Sequence, residues 1–105
     1  MNLYTEITDI LKTHRKTIND ILYVTGIDTK STCFNPGDFL DAARNIEYND
    51  GYGVEEINVN LRIVLKNGDF LKRSTYDGLE WFEYISIPKM EVEIKNLNSD
   101  VIIKY

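Results

Sequence analysis

INVNLRIVLKNGDFLKRSTYDGLEWFEYISI, residues 57–87, decides the fold. Ile57, Val59, Leu61, Ile63 and Leu65 alternate with Asn58, Asn60, Arg62, Val64 and Lys66. A period of two puts one set on each face of a strand, so a half-buried strand is predicted over 57–66. Asn67-Gly68 and Asp77-Gly78 then supply residue pairs that tolerate positive φ, as tight hairpin turns require. The reading is an antiparallel meander whose further strands are Phe70–Tyr76 and the aromatic run Leu79–Tyr84, closed off by Pro88. The first turn admits two registers. A two-residue turn pairs Leu65 with Phe70 but sets Ile63 opposite Lys72. A three-residue turn with a bulge at Gly68 pairs Ile63 with Leu71, keeps more of the apolar face together, and is preferred. At Asp77-Gly78 a two-residue turn places Lys72 opposite Glu83 and Phe70 opposite Ile85, both favourable cross-strand pairs.

Upstream, Leu3, Ile7, Ile10, Leu11, His14 and Ile18 recur at helical spacing. A helix is predicted from Asn2, its cap, to about Arg15, with Glu6 and Asp9 early and Lys12, Arg15 and Lys16 late, as the helix dipole favours. Its apolar stripe needs a surface, and the sheet is the candidate. Thr17–Asp20 reads as a connection and Ile21–Thr25 as a strand ended by Gly26, with a helical turn continuing from Ile18 as the competing reading. Asn35-Pro36-Gly37-Asp38 opens a short helix, Pro36 to Arg44, with Phe39, Leu40 and Ala43 inward. Tyr48–Gly53 is a loop with an unusual load of two tyrosines and an acid. The tail Lys89–Tyr105 alternates Met90, Val92 and Ile94 before Val101-Ile102-Ile103. It would extend the sheet, or pair two chains into a homodimer. The fold class expected is α+β in a single domain: an antiparallel sheet with an N-terminal helix and one short helix packed on it.

With 105 residues, 43% of them hydrophobic, the chain can bury a core without metal or disulfide staples. Seventeen acidic against twelve basic side chains give a formal charge of -5. That balance opposes general nucleic-acid binding and suits a basic groove on another protein. Cys33 is the lone cysteine, which excludes an internal disulfide and fits a reducing cytoplasm. No apolar run approaches a membrane span, and Met1–Leu11 carries acids without a basic residue, unlike a signal peptide.

Reactive constellations are scarce. His14 is the single histidine and sits on or beside the apolar stripe, without sequence partners for zinc. No local signature makes a nucleophilic pair of Cys33 and His14. Gly51-Tyr52-Gly53 is too short for a phosphate-binding motif. No enzyme, cofactor or metal is therefore expected. Carboxylates gather around the Tyr48–Gly53 loop and along the last hairpin. Read as partner contacts they give Asp50, Tyr52, Glu55, Glu56, Asp77 and Glu80. Arg62, Lys72 and Arg73 form the one basic spot, the basis of an alternative nucleic-acid reading. Trp81, Phe82 and Tyr84 fall on both faces of their strand. One face can be core, and the other needs a helix, the tail or a partner to cover it.

Tyr76-Asp77-Gly78-Leu79-Glu80-Trp81-Phe82-Glu83-Tyr84 resembles a motif of small phage and prophage proteins, Y-D-G-S-E-W-W-E-Y/F followed by proline. Leu61–Leu65, Leu71-Lys72-Arg73, the Tyr48–Gly53 loop and Asp20–Val24 are similar to further segments of that group, so the likeness runs from about Ile18 to Pro88. Leu79 and Phe82 depart from it, standing where serine and a second tryptophan are usual. The resemblance implies a mobile-element accessory protein. Small acidic proteins of that origin include stoichiometric inhibitors of host defence, anti-CRISPR proteins among them. It carries over no catalytic residue. The expected partner is a host defence protein such as a CRISPR-associated nuclease, met in the bacterial cytoplasm.

Overall fold

The computed structural model describes residues 1–28, 30, 32–49 and 56–87. Helix α1, Leu3–Thr13, is capped by Asn2, whose side chain accepts from the Thr5 N–H. A single 3₁₀ turn, Ile18–Asp20, follows. Thr17 caps it through Asn19, while the Asp20 carboxylate reaches back to the Thr17 N–H at 2.8 Å. Strand β1 is Ile21–Thr25 and helix α2 is Pro36–Ala43. Strands β2, Arg62–Leu65, β3, Phe70–Tyr76, and β4, Leu79–Ile85, complete an antiparallel sheet of order β1-β2-β3-β4. The α+β class and both helices stand as expected. The strand expected at Ile21–Thr25 also forms, with an irregularity between Ile21 and Tyr23.

Both hairpin registers follow the sequence reading. Ile63 pairs with Leu71, and Gly68 takes φ +93° in the bulged three-residue loop. Phe70 pairs with Ile85 and Lys72 with Glu83 across a two-residue turn. Asp77 at φ +51° and Gly78 at φ +83° there adopt the left-handed pair that matches strand twist.

One expectation fails. The strand predicted over 57–66 begins only at Arg62. Asn58 is the reason: its side chain accepts from the Asn60 N–H at 2.9 Å, its carbonyl accepts from Leu61, and its amide donates to the Ile27 carbonyl. These bonds fold 58–61 into a turn, and Val59 is left half exposed. Gly26 makes room for it, since a Cβ there would lie 1.8 Å from the Asn60 carbonyl oxygen.

The core lies between the helices and one face of the sheet. Leu3, Ile7 and Leu11 of α1 and Leu40 and Ala43 of α2 meet Ile21, Val24, Ile63, Leu65, Leu71 and Phe82. Strand alternation and register put Tyr23, Val64, Phe70, Lys72, Tyr76, Trp81, Glu83 and Ile85 on the other face. Both helices lie away from that face. No described helix is long and apolar enough to cross a membrane.

Candidate functional site

Arg73 alternates with Leu71 along β3 and therefore points inward, into the core. Its side chain is 1% exposed. One guanidinium nitrogen donates to Glu80 at 2.8 Å and to the Tyr48 hydroxyl at 3.4 Å; the other donates to Glu6 at 3.3 Å. The guanidinium carbon lies 4.5 Å from the centre of the Phe82 ring, a cation–π contact. Tyr48 donates its hydroxyl proton to Glu6. Burial first, and this bond to a carboxylate second, drive the Tyr48 phenol well above its ordinary 10.0. The backbone sets Tyr48 here: Tyr48 N–H to the Met1 carbonyl and Leu3 N–H to the Ile46 carbonyl lace residues 46–48 to the start of α1.

Glu80 has a second task. Its carboxylate accepts the N–H of Glu56 at 2.9 Å and of Ile57 at 3.2 Å. The Glu56 carboxylate in turn accepts the Asn49 N–H at 2.8 Å. Asn49 and Glu56 are thereby joined to each other, and Glu56 is fastened to a buried ion pair. Ion pairs so withdrawn from water need their remaining lone pairs satisfied, and these two N–H groups do that for Glu80.

These positions correct two expectations. Glu80 is no partner contact: it is 3% exposed and fully engaged inside the fold. Arg73 is removed from the basic spot for the same reason. Glu56 and Asp77 are exposed, Asp77 in the β3–β4 turn and Glu56 tied by its backbone to Glu80, which brings both to the same end of the sheet. Asp50, Tyr52 and Glu55 lie outside the described residues, as does the tail Lys89–Tyr105 with the pairing expected of it.

No family model, curated protein or solved structure matches the chain.

A second polar group joins α1 to the Asn67-Gly68 hairpin. His14 stacks on Tyr84 with ring centres 4.0 Å apart and planes 5° from parallel. Tyr84 donates to Asp69 at 2.6 Å, and Asp69 also accepts the Ile87 N–H at 3.0 Å. The Tyr84 bond, then the Ile87 bond, hold the Asp69 carboxyl below its ordinary 3.8. Burial, then Asp69, push the Tyr84 phenol up to about 12. His14 is thus a stacking partner, capping α1 at its C-terminal end. Among the described residues no three His, Cys, Asp or Glu gather as a metal site.

The sheet face away from the helices keeps Arg62, 5.1 Å over the Phe70 ring, and Lys72, 3.7 Å from Glu83. Two surface cavities flank the helices, one beside Tyr4, Leu11 and Ile18 and one between α2 and residues 56–61. Glu6, Tyr48, Arg73 and Glu80 line neither of these two. Sequence reasoning missed Glu6 and Tyr48 as members of this group. Glu80 itself carried a usable signal, because it alternates with Phe82 and so shares that residue's inward face.

Proposed function

We propose that the chain is a phage or prophage accessory protein that acts stoichiometrically, by binding and blocking a host defence protein such as a CRISPR-associated nuclease in the bacterial cytoplasm. One observation carries the protein-binding part. The Arg73–Glu80 pair holds Glu56, and Glu56 holds Asn49, the two described residues that flank the acidic, tyrosine-bearing sequence 50–55. Holding the flanking residues in place reduces the ordering entropy lost when a partner binds between them. The charge of -5 supports a cationic surface on the partner. The mobile-element origin and the defence target rest on the likeness of Tyr76–Tyr84 and its companion segments to phage proteins.

A plaque assay tests the proposal. Expressing the chain in cells protected by a defined CRISPR system should restore phage growth, and reversing Asp50, Glu55, Glu56 and Asp77 to lysine should abolish the effect. Failure to restore growth across several CRISPR types would remove the defence reading, and rescue unchanged by charge reversal would remove the acidic contact. The sheet face away from the helices favours a second reading, a single-strand platform made of Arg62, Phe70, Lys72 and Trp81. Binding to short oligonucleotides that weakens steeply with salt would support it over the first.

A further inference from the structure

We infer that the cavity between α1 and residues 16–18 binds a small amphipathic anion, an aliphatic carboxylate whose hydrocarbon chain enters the cavity and whose head meets Lys12 and Lys16. This contact is of a different kind from the acidic one proposed above and does not depend on it. The cavity measures about 400 Å³, within the range of about 300–1,000 Å³ typical of small-molecule sites. Tyr4, Leu11 and Ile18 give it apolar walls, and Lys12 and Lys16 line the same space.

The end of α1 builds this arrangement. Arg15 takes φ +58°, which turns the chain back on the helix. The Lys16 N–H then reaches the Leu11 carbonyl at 2.8 Å, and the Arg15 N–H reaches the Lys12 carbonyl at 3.0 Å, the paired bonds of a Schellman cap. Lys16 is thereby returned to the flank of α1 on which Tyr4, Thr8 and Lys12 follow one another at intervals of four.

Charge selects the ligand. Among the described residues neither lysine is in an ion pair, although the chain carries 17 acids against 12 bases. Two acids act close by, and both are engaged. Asp20 accepts the Thr17 N–H at 2.8 Å. Asp69, whose carboxyl feels Lys16, accepts from Tyr84 at 2.6 Å and from the Ile87 N–H at 3.0 Å. Glu6 is turned to Tyr48 and Arg73, and exposed Asp9 pairs with neither lysine. A third cation adds to the field: Arg44 donates to the Tyr4 hydroxyl at 3.2 Å and lies 4.1 Å over its ring. The Thr8 and Thr17 hydroxyls donate to the Thr5 carbonyl and the Asp20 carboxylate, so the lining leaves two ammonium groups for an anionic head beside an apolar bed. Lysine stems lie along apolar surface with the ammonium held in water, which sets that head at the cavity mouth.

The test titrates the full chain, ¹⁵N-labelled, with decanoate, decyltrimethylammonium and acetate, keeping the two decyl ions below their micelle concentrations. Decanoate should shift the amides of Thr8, Leu11, Lys12 and Ile18 saturably and bind at least about tenfold more tightly than acetate. It should bind roughly fivefold more tightly than decyltrimethylammonium, a preference that the overall charge of -5 opposes and a local cationic site supplies. Lys12→Met with Lys16→Met keeps both stems and removes both charges. It should weaken decanoate by roughly the same factor and abolish the preference for the anion. Equal binding of the two decyl ions would overturn the inference, as would acetate binding as tightly as decanoate or shifts confined to the sheet face away from the helices. So would decanoate binding that the double methionine variant leaves unchanged. The ligand series on the unaltered chain decides even if that variant fails to fold. None of these outcomes touches the acidic contact, which the plaque assay reads.

Discussion

Replacing Glu80 by alanine tests the central claim about the buried charges. The change leaves Arg73, 1% exposed, with Glu6 at 3.3 Å as its one remaining charged partner among the described residues, and strips the Glu56 and Ile57 N–H groups of their acceptor. Breaking a buried pair by removing one member costs about 3–5 kcal/mol. That is a large part of the roughly 5–15 kcal/mol that holds such chains folded. With about 4 °C or more lost per kcal/mol, the melting temperature should fall by at least about 12 °C. Calorimetry gives the total, and amide hydrogen exchange locates it: Glu56 and Ile57 should lose protection ahead of Leu71 and Ile63. A double variant, Arg73→Met with Glu80→Gln, removes the orphaned cation and restores an oxygen acceptor. It should recover roughly half the loss, because isosteric replacement of a buried pair is often close to neutral. A cost below about 1 kcal/mol for Glu80→Ala, the range of exposed pairs, would refute the reasoning. So would a large cost with Glu56 and Ile57 exchange unchanged.

Other outcomes follow from the same fold. Gly26→Ala should cost roughly 3 kcal/mol or more by urea denaturation, since φ is +82° and the new Cβ would meet the Asn60 carbonyl at 1.8 Å. Asn35→Ala removes the side chain that accepts from Gly37 at 2.8 Å and Asp38 at 3.3 Å. It should cost about 1 kcal/mol in the same assay. In an alkaline titration followed by phenolate absorbance, Tyr84 should ionise near 12 and Tyr48 later than an ordinary tyrosine. Because both folded values are raised, the stability they confer is complete below about pH 10 and is lost as pH rises through the folded values. Tyr84→Phe should remove the wave near 12. For Asp69 the sign reverses: its lowered value means stability present above the ordinary 3.8 and lost as acid carries pH through the folded value, so Asp69→Asn should flatten the acid limb.

Local chemistry made much of the sheet legible. Asn67-Gly68 and Asp77-Gly78 are short-range signals, and choosing the register that gathered Ile63 and Leu71 needed only the apolar pattern. The same pattern misled at 57–61, because Asn58 and Asn60 compete for the backbone through their own side chains, and a hydrophobic alternation does not register that. At Glu80 charge and position conflict: an acid suggests the surface, while alternation with Phe82 sets the residue inward. Arg73, alternating with Leu71, carried the same warning. Their partners were beyond such reasoning, since Glu6 lies 67 positions from Arg73 and Tyr48 lies 25 away. Nor does any local pattern announce the cavity beside α2, whose walls come from five separate parts of the chain.

That separation has a kinetic consequence. The β3–β4 hairpin closes over few residues, while the ring of Glu6, Tyr48, Arg73 and Glu80 is complete only when distant segments have met. The expectation is that the local hairpin forms in the folding nucleus and that these long-range bonds close after the rate-limiting barrier. Changes at Glu6 should therefore hasten unfolding and leave the refolding limb of a chevron nearly still, whereas changes at Asp77-Gly78 should slow refolding. On that expectation this buried group is a lock on the finished molecule, and sets how long it lasts more than how fast it forms.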